Sequence, residues 1–474
     1  MKKIGSLMAI VMTCLCLFTG CLKQEEQVKE VKLDPDNPIT ITLWHYYNGA
    51  QQTAFDEMTE EFNETVGREK GIYVETYAQG DVYELQQVVM DAADKKAGAS
   101  EMPDIFSAYA DTAYEVNERG LVADLRPYLT KAELAQYVDS YIEEGAFDKE
   151  DELKIFPIAK ATEVLVLNET DWKKFAKKTG VKKSDLSTIE GLVKVAGKYY
   201  DWSEGKAFFG RDSVANYIYV GAKQLGIDII SVEDGKTKLN LDREVMKKIW
   251  DCYYVPYVKG WFSSEGRFRS DDMQMGNVIA YVGSSSGASF YPTEVSVGDE
   301  EQYPIKIGVY ESPKFKDGES YAVQQGAGMV VTNKTDEEVY ASIEFLKWFT
   351  DSERNMTFST LSSYLPVKKE ANSKDLLLST LTAEDENVIN TLSVALDTVN
   401  NSTMYTPKAT SGSSDIRSLL ENALQEQAEK DRKSVEKAIK KGKSYKKAVK
   451  PYLTEETFDA WYEEVEKQLS ETME

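Results

Sequence analysis

The sequence predicts an α/β protein made of layered helices and mainly parallel sheets, and three observations predict it. Strand-like and helix-like segments alternate along most of the 474 residues. The strands are near-continuous apolar runs, the pattern of sheets covered by helices on both faces. At roughly 100–200 residues per domain, the length suggests two to four domains, each able to bury its own core.

The elements follow in order. Ile39 to Trp44 alternates and is rich in β-branched residues, which predicts a strand, and Gln51 to Val66 predicts a helix. Ile72 to Tyr77 reads as a strand, Tyr83 to Lys96 as a helix, and Asp104 to Tyr109 as a third strand with a short helix after Asp111. Further strands are predicted at Glu163–Leu167, Val278–Val282, Ile305–Val309 and Gly328–Thr332. Thr335-Asp336-Glu337-Glu338 has the form of a capping box and opens a helix whose Val339, Ile343, Leu346 and Phe349 share one face. Beyond about residue 410 the composition becomes that of a helical, Lys/Glu-rich tail. In such folds ligands sit at the carboxyl ends of strands.

Composition removes several function classes. With 80 Asp+Glu against 56 Lys+Arg the formal charge is −24, which disfavours nucleic-acid binding and electrostatic adsorption to anionic membranes. The single histidine, His45, excludes metal sites that need two or more imidazoles. No Walker loop, Cys-x-x-Cys or dinucleotide fingerprint is present, so no cofactor or metal is expected. Lys430 to Lys450, with ten Lys/Arg and two acids, is the basic exception. Compensation of neighbouring acidic helices accounts for it best; binding of anionic lipid is the alternative.

Lys2 and Lys3 precede an apolar run from Ile4 to Phe18, shorter than the ~18 residues of a membrane span and suited to a secretory leader. Leu17-Phe18-Thr19-Gly20-Cys21 then resembles the lipobox of bacterial lipoproteins, with Phe18 where Leu is usual. This implies cleavage after Gly20 and acylation of Cys21, an extracytoplasmic chain held to the cell membrane only by its N-terminal lipid. An ordinary leader that happens to contain Cys is the alternative. Cys14 and Cys16 leave with the leader, so only Cys252 remains and no intrachain disulfide forms. Residues 22–38 read as a solvated tether.

Three segments lie beside predicted strand ends. Trp44 and His45 open an aromatic run through Tyr47 whose flat faces and polar edges suit a sugar, or equally a packed core. Gly283-Ser284-Ser285-Ser286-Gly287 presents hydroxyls and backbone N–H groups, with Ser285 and Ser286 as candidates, or is only a turn. Ser363-Tyr364-Leu365-Pro366 restricts the backbone so that Tyr364 can project, or can pack.

The order of motifs is more informative than any one of them. The lipobox, Ile41 to His45, Met102-Pro103-Asp104, Arg119 to Leu125, Phe156 to Ala159, Val164 to Asn168, Gly276 to Gly287, Gly326-Ala327-Gly328 and Tyr364 to Val367 resemble the extracellular solute-binding proteins of ABC importers. The resemblance runs over nearly all of residues 39–470 and looks closest to the sugar and glycerol-3-phosphate-binding branch. It implies two α/β lobes of the type II periplasmic-binding-protein kind, joined by hinge strands, with the ligand between them. Lobe 1 would comprise residues 39–158 plus 327–400 and lobe 2 residues 159–326 plus 401–474. It also implies a monomer that closes on a carbohydrate, polyol or glycerophosphate-like solute and is recognised, closed, by permease subunits.

The same resemblance implies site residues. Tyr83 matches a tyrosine lying over the ligand, Ser286 a serine of the Ser-Ser-Gly turn, Gly326 a hinge glycine, Tyr364 the tyrosine of a Tyr-Leu-Pro turn and Arg417 an arginine near the start of a late helix. Departures from the branch add four candidates. Asp111 stands one residue beyond the branch's acid, Lys160 where it has serines, and Arg211 and Asp212 where it has tryptophans. The three cations favour an anionic ligand, the two acids a neutral sugar. A secreted polysaccharide hydrolase or lyase and a sensory solute-binding lipoprotein are the alternative functions.

Overall fold

The computed structural model describes residues 28–473 except 30, 148–150, 234–235, 299–300 and 381–385; the leader, Cys21 and the start of the tether lie outside the described residues. Two four-stranded sheets organise the chain. In the first, Ile39–His45 pairs in parallel with Ile72–Ala78 on one side and Ile105–Ala108 on the other, and Gly328–Val331 closes the edge antiparallel to the latter. In the second, Glu163–Asn168 lies antiparallel to both Ile307–Glu311 and Ala280–Ser284, and Phe209–Arg211 runs parallel to Ala280–Ser284.

The second sheet departs from the expected parallel arrangement because the signal used was burial. All six residues of Glu163–Asn168 are buried, and an apolar run reports that both faces are covered without reporting the direction of its neighbours.

Helices cover both sheets. Phe55, Phe62, Phe345, Phe349 and Phe358 pack on one face of the first sheet around Ile41 and Leu43, while Trp44, Leu85, Val89 and Phe106 fill its other face. Asp81 caps the helix Val82–Ala93 by accepting from the Tyr83 and Glu84 N–H groups, and Glu84 returns the bond to the Asp81 N–H, a complete capping box. Thr335 and Glu338 form the expected second box at the helix Asp336–Phe349.

The tail helix Ser413–Lys440 buries Ile416, Leu420, Leu424, Ala428 and Val435 at roughly one-turn spacing. This stripe joins the core around Trp250, Phe458 and Trp461, so the Lys/Glu-rich segment is structural on one face.

The lobes meet where backbone segments cross side by side. Ala161 and Gln325 exchange backbone hydrogen bonds, and Tyr321–Val323 pairs with Thr403–Tyr405. The helix Glu386–Asn401 packs through Val388, Leu392 and Leu396 onto Val164 and Val166. This helix, which the sequence division groups with residues 39–158, thus packs against the second sheet.

Candidate functional site

A cleft of about 640 Å³ lies between the lobes. On the first-lobe side it is lined by Tyr83, Tyr109 and Asp111, on the second by Asn216, Tyr219 and Arg417, and at the crossing by Gln324 and Gln325. Tyr83 stands in the first turn of its capped helix and is 76% exposed. Tyr109 follows the strand Ile105–Ala108 and is 40% exposed, so two rings on one wall are free to lie against a ligand. Across the mouth Arg267 of the second lobe lies 3.8 Å from Asp81 of the first.

Arg417 is aimed by a relay of polar groups. Its Nη2 donates to Asn216 Oδ1 at 2.7 Å and to Ser213 Oγ at 3.4 Å. Asn216 Nδ2 donates to Glu163 Oε1 and Gln325 Oε1, each at 3.0 Å, and Arg211 Nη1 holds the other oxygen of Glu163 at 2.6 Å. Arg211 is 7% exposed and Glu163 3%, so the expected ligand contact of Arg211 is replaced by a supporting one. A buried guanidinium needs a partner, and Glu163 supplies it before any ligand can.

Lys160 is withdrawn in the same way. Its side chain is 1% exposed, and Nζ donates to Glu144 Oε2 at 2.6 Å and to Gly326 O at 2.9 Å. Gly326, at φ +99°, brings its carbonyl there; a Cβ would sit 3.1 Å from Ala159 O. Glu144 therefore meets the cleft already paired. The sequence expected three cations at the ligand; of them only Arg417 faces the cleft, among the carboxylates of Asp111, Glu421, Glu426 and Glu429, with Lys408 as a second, exposed cation.

Other predicted residues lie elsewhere. Trp44 is 7% exposed within the core, and His45 is fully buried between Tyr47 and Phe55. Both stand on the strand Ile39–His45, ahead of the residues that leave the sheet. Ser285 is buried and joins two strands, accepting from the Thr162 N–H at 3.2 Å while its own N–H donates to Thr162 O. Asp212 accepts from the Arg269 N–H at 2.9 Å at the end of the strand Phe209–Arg211.

Tyr364 and Ser286 do not line this cleft, and Tyr364 is buried against Tyr47 and Phe358. Tyr364 OH lies 3.3 Å from Tyr46 OH, and Ser286 Oγ 2.8 Å from Ser284 Oγ. Burial pushes the phenols of Tyr46 and Tyr364 up, so both stay neutral and able to donate. Burial also pushes the Cys252 thiol up to about 12, which suppresses any nucleophilic role. No cluster of three or more metal-ligating side chains occurs among the described residues, and no helix there is long and apolar enough to cross a membrane.

Sequence reasoning missed Tyr109, Asn216 and Gln325. Tyr109 had a signal, the carboxyl end of a predicted strand. Asn216 and Gln325 had none, since Asn216 meets Arg417, and Gln325 meets Asn216, only in the folded chain.

The sequence profile of the bacterial extracellular solute-binding proteins matches residues 57–388. Among curated proteins none matches the chain in sequence. Solved structures match in fold. The cyclic α-maltosyl-1,6-maltose binding protein of Arthrobacter globiformis superposes with a TM-score of 0.64 at 16% identity, over 90% of this chain and 99% of its own. UgpB of Mycobacterium tuberculosis, solved with glycerophosphocholine, gives 0.62 at 15% identity over 91% and 100%. An ABC substrate-binding protein of Listeria monocytogenes, solved with cycloalternan, gives 0.62 at 16% identity over 92% and 100%. At these identities the likeness carries the two-lobed fold.

Proposed function

This chain belongs to the bacterial extracellular solute-binding proteins, and from that premise we propose that it captures a neutral, polyhydroxylated solute, a carbohydrate or polyol, and delivers it to the permease of an ABC importer without chemical turnover. The observation that carries the reading is the pairing of two exposed rings, Tyr83 and Tyr109, with a single pre-aimed guanidinium at Arg417 in a cleft otherwise rich in carboxylates and amides. Rings bind the apolar faces of a sugar, and carboxylates and amides accept or share its hydroxyl protons. An anionic solute would meet the carboxylates of Asp111, Glu421, Glu426 and Glu429 at close quarters. Sugar-binding and glycerophosphocholine-binding proteins share the fold, which supports the choice of solute class.

Capture works by closure. Ligand touching both walls binds the closed form better than the open one, and that difference shifts the population. The crossing at Ala161 and Gln325 is the natural hinge, and Gln325 links it to Asn216 behind Arg417. Acylation at Cys21 and attachment to the cell membrane belong to the same reading, and so do a monomeric receptor and the assignment of residues 39–158 to one lobe.

The test is a thermal-shift screen of mono- and oligosaccharides, polyols and glycerophosphodiesters. A neutral sugar or polyol is expected to raise the melting temperature, with a Kd of about micromolar, or about −8 kcal/mol. Stabilisation by anionic compounds alone, or release of product from an oligosaccharide, would overturn it.

A further inference from the structure

The basic end of the tail helix is a surface that the cleft does not use. Lys437, Lys440 and Lys441 are exposed and line one shallow hollow, and the exposed Lys443, Lys446 and Lys447 continue it through the following turn. The two acids of the segment do not offset them. Asp431 is buried and accepts from the Tyr254 hydroxyl at 2.6 Å, and Glu436 is held by Arg432 at 2.9 Å. The neighbouring helix Glu455–Thr472 spends Glu455 and Asp459 on Arg243. Among the described residues none of these six lysines has a carboxylate at ion-pair distance. Compensation of neighbouring acids, the account favoured by the sequence, thus covers Arg432 and Lys433 but not these six lysines.

We propose that this patch docks the second lobe onto an anionic phospholipid surface. The charges are ammonium groups on flexible stems, suited to a diffuse sheet of phosphates, whereas a defined phosphate site would use the bidentate fork of an arginine. Arg432, the arginine of the segment, is turned to Glu436 and to Val258 O. An acidic protein partner would call for an aromatic or aliphatic anchor at the centre of the patch. Tyr445, the nearest aromatic, is stacked on Tyr200 with ring centres 5.5 Å apart and donates to Lys259 O. The acidity of the rest of the chain does not forbid the contact, because charges more than about 8 Å away are screened at physiological salt. From Arg417 to Lys440 the helix rises by about 35 Å, so a membrane at the patch leaves the cleft open to solute.

The test uses the chain from Leu22 onward, which keeps every described residue and lacks Cys21, so that acylation plays no part. It is sedimented with phosphatidylcholine vesicles with and without phosphatidylglycerol. Binding is expected only to the vesicles containing phosphatidylglycerol, with release on raising salt. The variant K440Q/K441Q/K446Q/K447Q, its melting temperature unchanged, is expected to bind several hundredfold more weakly, at about fivefold per lysine. Equal sedimentation with both vesicles, indifference to the four substitutions, or absence of binding to either vesicle, which would point to an acidic protein instead, overturns the proposal.

Discussion

Asn216 Oδ1 accepts from the Arg417 guanidinium at 2.7 Å and holds it from the side where it lines the cleft. The two residues stand on different helices, Val214–Gln224 and Ser413–Lys440, and Asn216 is itself fixed by Glu163 and Gln325. Arg417→Ala is expected to abolish the thermal shift produced by the stabilising solute while leaving the melting temperature without solute unchanged. Asn216→Ala keeps the guanidinium but frees it, and solute affinity is expected to fall about tenfold, the value of one charge-assisted hydrogen bond. Calorimetric titration of both variants checks this; equal affinity in Asn216→Ala and the parent would remove the relay from the site.

Tyr83 has little to lose on folding, being 76% exposed. Tyr83→Ala is expected to leave unfolding within about 0.5 kcal/mol of the parent and to weaken solute binding by about 1–2 kcal/mol through loss of ring contact. Denaturant titration and calorimetry, run on the same preparation, separate the two effects.

The ion pair of Lys160 and Glu144 is 2.6 Å long with both side chains nearly closed to solvent. Lys160→Met leaves Glu144 buried with the Gln324 amide as a remaining donor, and a loss of about 3–5 kcal/mol in unfolding free energy is expected. Combining it with Glu144→Leu is expected to restore much of that loss. A Lys160→Met variant as stable as the parent would place the charge in solvent and the hinge in a different geometry.

His45 is expected to make the protein acid-sensitive. Burial lowers its imidazole to about 4, against the pull of the Asp56 carboxylate 4.0 Å from Nε2. In the unfolded chain the group takes up a proton below about pH 6.5. The contribution is therefore complete above that pH and is lost as the pH falls through about 4, by about 3 kcal/mol in all. His45→Phe is expected to flatten this part of the stability profile, read as the difference in urea unfolding between neutral pH and about pH 4.5. An unchanged pH slope in the variant would mean that the imidazole is not buried neutral.

Much of the fold was legible because its signals are local. The capping residues Thr335 and Glu338 and the apolar strand residues Val164 to Leu167 act within a few positions of one another, and each formed the element expected. The site was legible only in part. Tyr83 and Arg417 were reached through motif order and line the cleft, whereas Lys160 and Arg211 were read as cleft cations and are buried on Glu144 and Glu163. A charged side chain in a sequence carries no mark of the partner it will find, and both partners lie away from it along the chain.

By itself the sequence determined an α/β chain with alternating elements, a solute-binding family resemblance and an acidic composition, because periodicity, capping and motif order are written in neighbouring residues. The tertiary structure alone decided the mixed direction of the second sheet, the packing of Glu386–Asn401 against that sheet and the charges that line the cleft. Those depend on which distant groups are brought within hydrogen-bonding reach, since pairing, not composition, fixes whether a charge faces solvent or is consumed inside the fold.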